Sequence, residues 1–160
     1  MNIFVLDEDV KKCARYHTDK HVIKMILETA QLLSAAHHLT GNKSDELYRL
    51  THKSHPCTKW VVKSINNYRW LVDLGLELCQ EYTYRYGKTH KTQEKLEWLK
   101  NNEAELPDID RTEFVKCMPD QYKVNSVVES YRNYYIGEKQ HIASWKQRRI
   151  PNWFEFEKGT

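Results

Sequence analysis

The sequence predicts an all-α fold: one compact helical domain over residues 1–160, with about four to five helices, a short extended N-terminal arm and an aromatic C-terminal tail. Three observations predict it. Apolar residues recur at steps of three and four along two long stretches, the period of a buried helical face. Ser, Thr and Asp stand where helical stretches begin, with side chains that accept the orphan N–H groups of a first turn. Only five Gly and four Pro occur in 160 residues, too little punctuation for many short strands.

Asn2 to Leu6 is a short apolar, β-prone run, either one strand or an extended arm packed on helices. Asp7, Glu8 and Asp9 suit the first turn of a short helix, with Asp7 as N-cap, that runs to about His17. Thr18 and Asp19 offer the next cap, and Asp19 to about His38 is the clearest helix, ended near Gly41 and Asn42. Pro56 opens a long helix from about Cys57 to Tyr84, on which Val61, Ile65, Tyr68, Val72, Leu76 and Cys79 share one face and which Gly87 closes. Thr92 caps a shorter helix holding Leu96 and Leu99, and the polar run from Asn101 to Pro119 is loop. Ser126 to Glu129 has the S-x-x-E form of a capping box and opens a last helix to about Lys146. The tail from Arg148 to Phe156 carries rings that must fold back onto the body, because leaving them in water is costly.

Composition narrows the function classes. With 40% apolar and 29% charged residues the chain folds rather than staying disordered. No apolar stretch approaches the ~20 residues that span a bilayer, and the first residues lack the pattern of a secretion signal. Cys13, Cys57, Cys79 and Cys117 are widely spaced with no C-x-x-C pair. The expected setting is a reducing cytoplasm, that of an infected host cell if the chain is phage-encoded. A net charge of +3 is mild for a protein that grips long DNA, so clustering matters more: Lys88, His90 and Lys91 form one basic group, and Lys146, Arg148 and Arg149 another. Each can track phosphates or simply face water.

The helix from Asp19 carries an unusual strip. On a helical wheel Met25, Leu32, Val22, Leu33, Ile26, Ala30, Ile23 and Leu27 fill an arc of about 220°. The remaining sector holds Lys24, Glu28 and Gln31, bordered by His21 and His38. Either it faces water, or it lines a cleft in which His, Lys and Glu do acid–base work. His52, Lys53 and His55 are expected on a loop at the mouth of such a cleft, joined by His90. No metal or other cofactor is expected, because the H-x-x-H-x-C spacing of His52, His55 and Cys57 is not a standard zinc arrangement.

Two resemblances arise at these motifs. Met1-Asn2-Ile3-Phe4, the run from Asp19 to Glu28, and the run from Glu81 to Lys88 look like a family of small uncharacterised proteins of tailed phages. The layout also resembles the phage pyrimidine-dimer DNA glycosylases, also called endonuclease V. That family places a D-x-H before a catalytic Glu seven residues beyond the His, as Asp19, His21 and Glu28 stand here. It ends in R-x-P-x-W and aromatics, as in Arg149-Ile150-Pro151-Asn152-Trp153-Phe154. The resemblance implies that Glu28 stabilises a positive sugar intermediate while an amino-terminal amine forms a Schiff base. In the family that amine belongs to a Thr exposed once Met is removed. Here bulky Asn2 disfavours removal, which leaves Met1 to offer its own, and Leu27 stands in place of the family's arginine.

The function expected is therefore N-glycosidic bond cleavage on a nucleic acid or nucleotide, of DNA glycosylase/AP-lyase type. Glu28, His21 and Met1 are the expected catalytic set, with Lys20, Lys24, Gln31, His52, His55, Lys88, His90, Lys91, Arg149 and Trp153 in binding. One alternative is a phage protein that captures a small nucleotide, such as a defence signal, without cleaving it. Another is a helical inhibitor of a host protein.

Overall fold

Ile3 to Leu6 run as an extended buried arm, and no residue from 1 to 157 is in a strand. The structure, a computed structural model, describes those residues; the last three of the expected 1–160 span lie outside the described residues. Helices α1 (Val10–Tyr16), α2 (Asp19–Leu39), α3 (Pro56–Lys63), α4 (Ile65–Tyr86), α5 (Gln93–Asn101) and α6 (Val127–Glu138) follow, with 3-10 turns at Asp120–Tyr122 and Gln140–Ile142. The all-α class holds, with more and shorter helices than expected. Among the described residues no helix is long and apolar enough to cross a membrane.

The long helix expected from Cys57 to Tyr84 is two helices. Ser64 is extended (φ −153°, ψ 140°), and its hydroxyl oxygen accepts the Asn66 N–H at 3.0 Å and donates to the Ile109 carbonyl at 2.6 Å. The Ile65 N–H donates to the Pro107 carbonyl at 2.9 Å, and Asn67 bonds Trp60 and Thr112. Groups freed by the break thus find partners in the polar 107–112 loop, distant in sequence and invisible to a local periodicity. Other boundaries shift for similar reasons. Asp9, not Asp7, caps α1, while Asp7 pairs with Arg132 at 3.2 Å. The Thr92 side chain makes no cap bond and meets the Tyr48 hydroxyl at 3.2 Å. Helix α6 stops at Glu138 rather than Lys146 because the chain turns to meet α2: the Asp19 carboxylate accepts from the Ser144 hydroxyl and the Lys146 N–H at 2.9 and 2.8 Å.

At the centre, α2 packs along α4, with α1, α3 and α5 around the pair. Gly75 sets how closely they approach: a Cβ there would lie 2.9 Å from Thr29 Cγ2 and 3.0 Å from Leu96 Cδ2. The aromatic tail does fold back. Trp145 donates to the Tyr16 carbonyl at 2.8 Å and packs on Phe154, and Trp153 meets Tyr16 edge-on at 5.6 Å. One expectation about α2 fails: Ile23 and Leu27 are 42% and 41% exposed, so the apolar arc is narrower than the wheel suggests.

Candidate active site

The arm delivers the amino terminus to α2. Phe4 stacks on His21 with ring centroids 4.4 Å apart. The Asn2 amide donates to the Cys117 carbonyl at 2.8 Å, and Asn2 Oδ1 accepts the Ile3 N–H at 2.8 Å and lies 3.1 Å from the Tyr131 hydroxyl. Held at these points, the chain places the Met1 amine 3.5 Å from Glu28 Oε1. The other oxygen, Glu28 Oε2, is buried with no hydrogen-bond partner among the described residues, and Lys24 Nζ lies 3.8 Å from it. Lys24 is 69% exposed, so this i,i+4 pair is weak and easily opened. A buried carboxylate oxygen without a donor is costly for folding alone, which marks it as a place where a positive or hydrogen-donating ligand gains.

His21 does not border an open strip. It is 6% exposed, with Nδ1 2.6 Å from the Tyr135 hydroxyl, and burial, helped by His17 and Lys139, lowers it to about 3. His17, whose Nδ1 lies 2.7 Å from the Cys13 carbonyl, is lowered to about 4, again mainly by burial. Both rings are therefore neutral near pH 7, and His21 supports the arm by stacking on Phe4. Each has a folded pKa below its ordinary 6.5, so the stability it contributes is complete above that value and is lost as pH falls toward about 4 and about 3. Urea midpoints are expected to fall below pH 6.5, with a slope approaching about 1.4 kcal/mol per pH unit for each ring. A profile flat to pH 5 would show that these imidazoles charge within the fold.

The remaining predicted residues divide by position. Lys20 is exposed on α2 like Lys24, and Gln31 is half-buried near Glu28 on the same helix. His55 is half-buried as the N-cap of α3, its Nδ1 accepting the Cys57 N–H at 3.0 Å. Burial first, then the amino terminus and His52, hold it below the ordinary imidazole range. His52 is exposed in a left-handed conformation (φ 52°), its ring 6.4 Å from His55. Lys88 and Lys91 are exposed, while His90 packs edge-on against Tyr82 at 4.9 Å and its Nδ1 accepts the Thr92 N–H at 3.1 Å. Arg149 is exposed, whereas its neighbour Arg148 is committed to Glu81 through two bonds of 3.0 and 2.9 Å. Trp153 is a half-buried anchor between Tyr16, Tyr135 and Arg132 rather than an open stacking platform. A cavity of about 850 Å³ lined by Asp7, Arg111, Phe114 and Lys116 among others holds none of the predicted site residues.

Sequence reasoning left Asn2, Tyr131, Cys57 and Cys117 out of the expected site, and the structure brings the last three to the Asn2 side chain. Cys57 Sγ lies 3.7 Å from Cys117 Sγ and 3.8 Å from Asn2 Oδ1. The bond between the two thiols holds Cys117 below the ordinary thiol range and pushes Cys57 above it, with burial adding to the rise. Sixty residues separate the two, and no local signal joins them.

The model of the pyrimidine dimer DNA glycosylase family matches residues 1–95, which take in the arm, α2 with Glu28, the His55–Cys57 turn and the 87–91 loop. No curated protein and no solved structure matches the chain.

Proposed function

Starting from a chain that belongs to the pyrimidine dimer DNA glycosylase family, we propose that it cleaves the N-glycosidic bond of a damaged nucleotide in DNA, with the Met1 amine as nucleophile and Glu28 as the central carboxylate. The observation that carries this reading is the 3.5 Å approach of the Met1 amine to Glu28 Oε1, with Oε2 buried and without a hydrogen-bond partner among the described residues. Attack needs the neutral amine, and Oε1 is placed to accept its proton. The amine nitrogen bonds to C1′ of the sugar while the C1′–N bond breaks, the base leaving with the electron pair and gaining a proton. The C1′–O4′ bond then opens, O4′ takes from Glu28 the proton that the amine gave up, and a protonated imine links Met1 to the sugar. Its positive charge falls against the Glu28 carboxylate, where low dielectric strengthens the attraction.

The target nucleotide must leave the stack, at a cost of a few kcal/mol that is smallest for a damaged pair. Ile23 and Leu27, exposed beside Lys24 and Glu28, are the apolar side chains suited to fill the opened step. Lys20, Lys24, Lys88 and Lys91 are the exposed cations for backbone phosphates, with His52, His55 and His90 at the loops and Gln31 on the same helix. Arg149 is a further cation at the tail, and Trp153 holds that tail against Tyr135. His21 acts as a positioning residue through Phe4.

Borohydride trapping tests the reading with three duplexes: one holding a thymine dimer, one an abasic site, one undamaged. Mass spectrometry is expected to place the adduct on the Met1 amine with the first two only, and a Gly-Ser extension before Met1 should abolish it. An adduct on Lys24 would move the nucleophile. Absence of any adduct or cleavage would discard the proposal and favour nucleotide capture without chemistry.

A further inference from the structure

The pair of thiols beside the amino terminus has a third donor within reach. Ligand atoms of His55, Cys57 and Cys117 all lie within 4.8 Å of one another, although the residues come from the cap of α3, its first turn and the distant 115–118 segment. We propose that these three side chains form a zinc site that clamps the arm in place.

The donor set selects the ion. Two thiolates and an imidazole suit zinc and reject magnesium or calcium, which want oxygen. The spacing also fits. Two sulfurs bound at about 2.3 Å to one tetrahedral zinc sit about 3.8 Å apart, and Cys57 Sγ and Cys117 Sγ are 3.7 Å apart. A disulfide would need them at about 2.05 Å, a far larger shift. Cys117 is also fixed by its own backbone, its N–H donating to the Tyr131 hydroxyl at 3.2 Å and its carbonyl accepting from the Asn2 amide at 2.8 Å.

Charge supports the placement. Zinc binding releases both thiol protons to solvent, and the ion with two thiolates is neutral overall. Such a site can stand beside the Met1 amine without repelling it. His55 Nδ1, if it is the ligating nitrogen, exchanges the Cys57 N–H it now accepts for the metal. Three protein ligands leave the fourth position to water. Through the Asn2–Cys117 bond, the clamp would fix the residue that follows the amine.

The experiment uses the full chain, purified reduced with a tag free of histidine and dialysed against zinc, with metal content measured by mass spectrometry. About one zinc per chain is expected. Cys57→Ser and Cys117→Ser should lose it, and His55→Ala should weaken it at least tenfold. Cys13→Ser and Cys79→Ser should retain it. Cobalt(II) is expected to give a thiolate charge-transfer band in the wild type that Cys117→Ser lacks, with circular dichroism confirming that this half-exposed position tolerates serine. Metal-free reduced wild type, a cobalt band that survives Cys117→Ser, or a Cys57–Cys117 disulfide formed in the presence of zinc would each overturn the proposal. These readouts are independent of DNA cleavage, so the zinc site stands or falls separately from the assignment of Glu28.

Discussion

Glu28→Gln is expected to lower turnover of dimer-containing DNA by about 10²–10³-fold while leaving the fold in place. Glutamine keeps the length and planarity of the side chain, so the packing of α2 should not change. It loses the charge that accepts the amine's proton and faces the positive imine. The ion pair with Met1, between side chains only 3% and 12% exposed, is lost as well, but an amide costs less to bury than the carboxylate it replaces, so urea stability should change little. Single-turnover cleavage separates the two effects: a fall in rate at unchanged stability assigns chemistry to Glu28. A variant that cleaves at the wild-type rate would move the chemistry away from α2.

The second large effect concerns stability. Arg85→Met is expected to cost about 3–5 kcal/mol in urea denaturation, because the change strips one partner from a buried charged network. The Arg85 side chain has no exposed surface and serves four acceptors. Nε donates to Glu81 Oε2 at 2.7 Å, Nη1 to the His17 carbonyl at 2.8 Å and to Asp19 Oδ1 at 3.0 Å, and Nη2 to the Arg15 carbonyl at 2.9 Å. One guanidinium thus ties the end of α1, the turn after it and the start of α2 to α4. Without it two carbonyls lose donors, and Glu81 keeps only Arg148. Burial alone would raise Glu81, and the two arginines more than offset that, holding it low. Arg85→Lys should recover little, since a single ammonium cannot reproduce the planar fork. A loss below about 1 kcal/mol would mean that water enters and replaces the lost donors.

The same network explains how the site keeps its geometry. Asp19 accepts from Arg85, from the Ser144 hydroxyl and from the Lys146 N–H, so the first turn of α2 is held from two sides. Helix α2 is therefore fixed at the end nearer His21, and its register sets where Glu28 meets the arm. The sequence resemblance placed Asp19 in the D-x-H motif, and its visible work is structural.

Helix periodicity, the Thr18 and Ser126 caps, the Gly87 stop and the Asp19/His21/Glu28 spacing could all be read from the sequence, because each depends on neighbours a few residues away. The arm, the returning tail and the all-α class followed from the same local signals combined with the cost of exposing apolar surface. What tertiary structure alone decided involves partners far along the chain. The loop at 107–112 broke one helix into α3 and α4 at Ser64, and Tyr135, 114 residues away, took His21 out of the accessible strip. Tyr131, 129 residues from Asn2, helps to aim the Met1 amine at Glu28, and Cys117 joins Cys57 across 60 residues. A helical wheel gives the direction of a side chain from its own axis but carries no information about what packs opposite. Local hydrogen bonding and periodicity therefore specified the elements of this protein, and only long-range packing set which of their polar groups meet.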